Sequence, residues 1–210
     1  RSISAGILTV LLNRVGDCLM LVAIVIYYGV MGDFFIFSGF ISEGVGCLFV
    51  LSLAFITKTA IFPFSRWLPA AIAAPTPISA LVHSSTLVTA GLFLFLRFSY
   101  VMYSNEVLMS IVLVLGLFTS FYAGIATVFE QDLKKVVAFS TLRHLGFILI
   151  AFRLGLANLA FFHLLRHALF KSMLFIGLGS IMVNRVHRQD RRAIKSVFLK
   201  RPFSAMLVLP

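Results

Sequence analysis

An all-α membrane protein, a polytopic transmembrane helix bundle, is predicted by three observations. Hydrophobic residues make up 60% of the 210 positions and charged residues only 12%. Mean hydropathy is +1.05, well outside the range of a water-soluble domain. The apolar residues also fall into runs of about 20, the length that spans a bilayer as a helix. Six such segments follow one another, at about 5–29, 45–62, 77–98, 106–128, 132–152 and 157–183, and a further one starts at 202. No low-complexity linker or internal repeat divides them, so residues 1–210 are expected to form a single transmembrane unit. The chain opens at Arg1 without Met and stops at Pro210 inside a fresh apolar run, FSAMLVLP. A fragment of a longer protein is therefore expected.

The first segment carries Asn13, Arg14 and Asp17. Arg14 and Asp17 are three apart, share a helix face and can form an ion pair near the membrane surface. The second segment places Lys58 about two thirds of the way along, with Thr57 and Thr59 beside it. It is then broken by Pro63, Pro69, Pro75 and Pro77 around a short piece near 65–73. A break at membrane depth frees backbone groups that lipid cannot satisfy, so it persists only where protein buries it or water lines it. The third segment opens on Pro77, where a missing amide costs little, and carries His83 with Ser79 and Thr86 on the same face. Glu106 falls in the first turn of the fourth segment. Asp132 precedes the fifth, where a negative charge suits the helix dipole.

A net charge of +11 in a soluble protein would suggest nucleic acid. Here the cations lie mostly between apolar runs, which is the pattern of membrane topology. If every segment crosses once, one side receives Arg1, Arg66, Lys134, Lys135 and the cluster at 185–201, and the other only Arg97 and Arg153. Cys18 and Cys47 lie in apolar runs without ligand spacing, so neither a disulfide framework nor a metal cluster is expected of them.

Ionisable groups at membrane depth are costly and functional by default. Lys58 is one; it cannot easily reach the headgroups, and loss of water disfavours its charged form, so it can give up a proton. His83 suits a proton relay, because imidazole exchanges protons through two nitrogens; a structural histidine is the alternative. HLLRHALFK places His163, His167 and Lys171 at offsets of four and eight, a stripe of roughly 12 Å along one helix face. That spacing suits a water-bridged proton wire. His163 and His167 also fit a two-histidine metal site, but no carboxylate or thiol lies nearby in sequence and Lys171 would repel a cation. Ser140 and His144, four apart, either join this polar axis or bond locally. Any carboxylate partner of Lys58 is expected outside the fragment, since only Asp17 is a candidate within it.

Three long stretches carry a resemblance: TKTAIFPFSRWLPAAIAAPTPISALVHSSTLVTAG, FEQDLKKVVAFSTL and LAFFHLLRHALFKSMLFIGLGSI. Together with NRVGD at 13–17 they resemble the antiporter-like proton-translocating subunits of mitochondrial NADH:ubiquinone oxidoreductase, respiratory complex I. APTPISALVHSSTLVTAG favours the chain 5 branch over chains 2 and 4. Subunits of multi-subunit cation/proton antiporters are similar too. The resemblance implies an antiporter-like inverted-repeat fold with broken helices. It implies a proton relay of Lys58, His83, His163, His167 and Lys171, coupled to electron transfer from NADH to ubiquinone. The family's glutamate partner for Lys58 would precede Arg1 and its terminal lysine would follow Pro210. NADH, FMN, iron–sulfur clusters and ubiquinone would belong to other subunits, leaving no cofactor, metal or small-molecule ligand in this chain. Its partners would be other membrane-arm subunits and the lipid bilayer of the mitochondrial inner membrane, with the segment 184–201 facing the matrix and no nucleic acid involved.

The chain departs from the family pattern where Arg143 and Arg166 replace small polar residues and Arg153 replaces an uncharged one. Two readings stand: either these are genuine cations, which disfavour protonation of the nearby histidines by like-charge repulsion and put the relay in question, or they are serine codons of an invertebrate mitochondrial code translated with the standard table. Sequencing the gene decides between them: arginine codons other than AGA and AGG at these positions end the serine explanation.

Overall fold

The computed structural model describes residues 2–31, 45–72, 75–82 and 86–183. Among them every regular element is helical: α1 (Ser2–Met31), α2 (Val45–Lys58), α3 (Trp67–Ala71), α4 (Thr76–Leu81), α5 (Leu87–Arg97), α6 (Ser99–Met102), α7 (Glu106–Phe129), α8 (Leu133–Arg153) and α9 (Ala157–Val183), with a 3₁₀ turn over Phe64–Arg66. Four of these, α1, α7, α8 and α9, contain stretches long and apolar enough to cross a membrane. The expected seventh segment and the basic stretch at 184–201 lie outside the described residues.

The second expected segment differs from its sequence reading, and the third is described only on either side of residues 83–85. α2 stops at Lys58 rather than continuing to 62, because Ala60 adopts a left-handed conformation with φ 57°. Ala60 N–H reaches Thr57 O at 3.4 Å and Ile61 N–H reaches Ile56 O at 3.3 Å, the paired bonds that close a helix C-terminus. A residue with a side chain costs of order 1 kcal/mol in that conformation, so the stop is held by its surroundings. At 14 residues α2 is about 21 Å long, short of the roughly 30 Å hydrocarbon core. The third segment is not one described helix over 77–98: α4 ends at Leu81 and α5 begins at Leu87. His83 lies between them, outside the described residues.

The freed backbone at the first break finds partners inside the protein. Trp67 is fully buried, and its indole N–H donates to Thr57 O at 3.4 Å, while Phe64 N–H donates to Ile61 O at 2.8 Å. Around Trp67 lies the main core, where Phe55 meets Phe95 edge-on at 5.1 Å and Phe152 stacks on Tyr103 at 5.2 Å. Tyr103 also donates its hydroxyl to Phe152 O at 2.6 Å. A smaller core of Ala80, Leu133, Val137, Phe175, Leu178 and Met182 gathers where α4 meets α8 and α9.

α7 and α8 form the most extensive helix pair. Asn105 caps α7 by accepting Leu108 N–H at 3.2 Å. Asp132 precedes α8 but makes no capping hydrogen bond; it pairs with Lys135, which also holds Glu130, both at 2.9 Å. α8 ends at Gly155, φ 80°, whose N–H bonds Phe152 O while Leu156 N–H bonds Ala151 O. This turn sends α9 back alongside α8. The outward faces of α7 and α9 carry Phe118, Phe121, Phe162, Leu169 and Phe170, apolar side chains suited to acyl tails.

Gly116 and Gly146 let α7 and α8 approach backbone to backbone. A Cβ on Gly146 would stand 2.8 Å from Gly116 O and 2.9 Å from Thr119 Oγ1. Gly146→Val is therefore expected to cost roughly 1–3 kcal/mol through overpacking, whereas Gly6→Ala, with nothing within 4 Å of its Cβ, leaves stability unchanged. Thermal unfolding of the detergent-solubilised full-length protein distinguishes the two.

Candidate functional site

Lys58 is the last residue of α2 and not an interior one. Its Nζ forms a hydrogen-bonded ion pair with Asp17 Oδ1 on α1, so a carboxylate partner of Lys58 lies within this chain. Arg14 Nη1 approaches the other oxygen of Asp17 at 3.7 Å. Asp17 is thus shared between two cations of unequal setting. The Lys58 side chain is 14% exposed and that of Arg14 75%. The contact follows from the preceding residue on each helix: a Cβ on Gly16 would fall 2.2 Å from Thr57 Oγ1, so only glycine lets α1 lie this close to α2.

The pair lines a cleft of about 390 Å³ with Asn13, Arg14, Trp67, Ala71, Val82 and Leu87 among its walls. Asn13 Oδ1 is buried there without a hydrogen-bond partner, although its Nδ2 donates to Thr9 O at 2.8 Å. Thr57 and Thr59 do not point hydroxyls at Lys58 as donors. Both are fully buried and donate back into α2, Thr57 to Ala54 O and Thr59 to Phe55 O. Ser79 likewise donates to Pro75 O and Thr86 to Leu81 O.

The second site lies between α8 and α9. His167 and Lys171 are buried, at 4% and 6% exposure, and His163 is half-buried. Lys171 Nζ donates to Ser140 Oγ at 2.7 Å, and that hydroxyl in turn donates to Val137 O at 2.6 Å. The two alternatives left open for Ser140, polar axis and local bond, are therefore both realised. The His144 ring centroid stands 5.6 Å from that of His163 and 5.8 Å from that of His167. Both ring nitrogens of His167 and Nδ1 of His144 are buried with no hydrogen-bond partner. Among the described residues no three His, Cys, Asp or Glu side chains are placed to hold a metal ion.

The two sites sit on different elements. α1 and α2 hold the Asp17–Lys58 pair, α8 and α9 hold the histidine–lysine array, and α5 packs against α2, α8 and α9. Arg143 and Arg153 each leave a buried Nε unpartnered, and Arg166 is exposed on α9 among Phe162, Leu165, Leu169 and Phe170. The Asp17–Lys58 contact joins residues 41 apart, a separation at which sequence spacing carries no signal.

Comparison with known proteins places the chain in a family. Residues 1–209 match the family NADH:quinone oxidoreductase/Mrp antiporter, TM. NADH-ubiquinone oxidoreductase chain 5 of Mytilus edulis is 44% identical over 205 residues, which is 97% of this chain and 36% of the relative. The chain 5 protein of Anopheles arabiensis is 45% identical over 209 residues, 97% of this chain and 54% of the relative. The chain therefore spans between about a third and a half of these relatives. Among solved structures, the Mrp complex from Dietzia sp. DQ12-45-1b is similar with TM-score 0.77 and 30% identity, over 85% of this chain and 21% of that one. The archaeal membrane-bound sulfane sulfur reductase shares the fold, at TM-score 0.86 and 19% identity over 98% of this chain and 45% of its own. The chain is a multi-pass membrane protein belonging to the NADH:quinone oxidoreductase/Mrp antiporter transmembrane family.

Proposed function

We propose that the chain is part of a core membrane-arm subunit of the proton-pumping NADH:ubiquinone oxidoreductase of the mitochondrial inner membrane. The observation that carries this reading is the array of buried Lys171 and His167 with half-buried Ser140, His144 and His163 between two spanning helices. Its context is a chain about 45% identical to relatives named NADH-ubiquinone oxidoreductase chain 5. In this reading protons cross through the Lys58, His83, His163, His167 and Lys171 relay while electrons pass from NADH to ubiquinone in other subunits. No redox cofactor is then needed in this chain. The start of the fragment and the segment 184–201 would face the matrix.

The Asp17–Lys58 pair supports a switchable first step. An amine held by a carboxylate keeps its proton, and an amine whose carboxylate turns to another cation releases it more readily. Arg14 provides that other cation within reach of Asp17. At the far site, Lys171 is held by a neutral hydroxyl, which stabilises its charge less than a carboxylate would.

A second reading, a subunit of a multi-subunit cation/proton antiporter, is favoured by the likeness to the Mrp complex at 30% identity. It predicts cation-coupled transport by the reconstituted protein without any redox partner.

Lys58→Met and Lys171→Met in the complete subunit are expected to lower proton pumping and NADH:quinone reductase turnover together, because a stalled pump stalls the coupled redox step. Assayed in sealed membrane vesicles, normal rates and normal proton-to-electron ratios in both variants would defeat the proposal. Asp17→Asn leaves Lys58 without its counter-ion and is expected to cost roughly 1.5–3 kcal/mol of stability. Arg14→Gln, at an exposed partner, costs at most about 1 kcal/mol. Thermal unfolding of the solubilised protein separates the two.

A further inference from the structure

We infer that His144 on α8 is a third imidazole of the relay, the member that joins α8 to the stripe on α9. The inference rests on the proposed proton pathway and adds to it a group that sequence spacing alone did not assign. α8 and α9 run antiparallel across the Gly155 turn, so moving one turn along α8 moves one turn back along α9. Ser140 meets Lys171; four residues on, His144 meets His167, four residues back. The two polar stripes are therefore in register over two successive turns. His144 also reaches His163, one turn further along α9, so a single ring on α8 spans the gap between two rings on α9.

A structural histidine of the interior normally satisfies its nitrogens with protein partners. His144 instead leaves Nδ1 buried and unpartnered, and His167 leaves both of its nitrogens so. Its one other ring contact is edge-on to Phe147 at 6.2 Å, which engages no nitrogen of the neighbouring histidines. Ring centroids under 6 Å apart bring the imidazoles to a separation that one bridging water can span when a nitrogen of each ring turns towards the other. Each imidazole can then accept a proton on one nitrogen and release one from the other, and returns to its neutral state after reorienting. Without His144, transfer between His163 and His167 has to follow α9 alone.

The test uses the complete subunit in the assembled complex, carrying His144→Gln, His144→Asn or, as reference, Lys171→Met. Both amides keep a polar side chain able to hydrogen bond but cannot relay a proton. The expected result is a several-fold loss of turnover and pumping in both His144 variants, with a changed solvent deuterium isotope effect on turnover. If Lys171→Met lowers pumping while His144→Gln and His144→Asn keep normal turnover, pumping and isotope effect, the role of His144 is overturned and the lysine relay stands. If all three variants pump normally, the proton-pathway reading falls with it. If a His144 variant assembles poorly, the isotope effect is read on the assembled fraction, and a value equal to that of the unsubstituted complex overturns the inference.

Discussion

A charge or an open backbone group inside a lipid slab has no solvent to turn to, and this constraint shapes every unusual feature of the chain. Where α2 stops, the fully buried Trp67 indole takes up one liberated carbonyl and the Ile61 and Phe64 amides close others. Lys58, the residue at that stop, is answered by Asp17 from the neighbouring helix. The break and the ion pair form one unit. Ending the helix brings the amine to the cleft, where α1 contributes the polar groups Asn13, Arg14 and Asp17 to an otherwise largely apolar lining.

The histidine–lysine array solves the same problem without a carboxylate. Lys171 is buried against a hydroxyl, with His144 and His167 on the same polar stripe and the Arg143 guanidinium near enough to act on it. The two sites thus hold their amines by different partners, Lys58 by a carboxylate and Lys171 by a hydroxyl. α5 links them physically by packing against both halves.

Much of this was readable from the chain alone. Apolar length revealed α1, α7, α8 and α9, and an interval of four residues exposed the stripe of His163, His167 and Lys171. What escaped the reading has a physical cause in each case. The end of α2 was placed four residues late because Ile61 and Phe62 extend the apolar run, and hydropathy does not register that Ala60 turns left-handed. Spacing pairs Asp17 with Arg14, three residues away, and leaves it as the one candidate carboxylate for Lys58 without placing the contact; the tighter contact is with Lys58, across a close approach of α1 and α2 at Gly16. Ser140 and His144 were visible as a pair, but their mates on α9 depend on the antiparallel register set at Gly155. Helical periodicity describes one helix at a time, and each of these contacts belongs to two.

The glycine contact between α1 and α2 bears on biogenesis. Asp17 and Lys58 occupy separate helices, and either one delivered alone to the hydrocarbon would strand an uncompensated ion there. Leaving the translocation machinery as a joined hairpin, already zipped at Gly16 and Thr57, lets the opposite charges cancel before lipid surrounds them. Inserting α1 and α2 as a pair therefore avoids the cost that either ion would carry if its helix entered lipid alone.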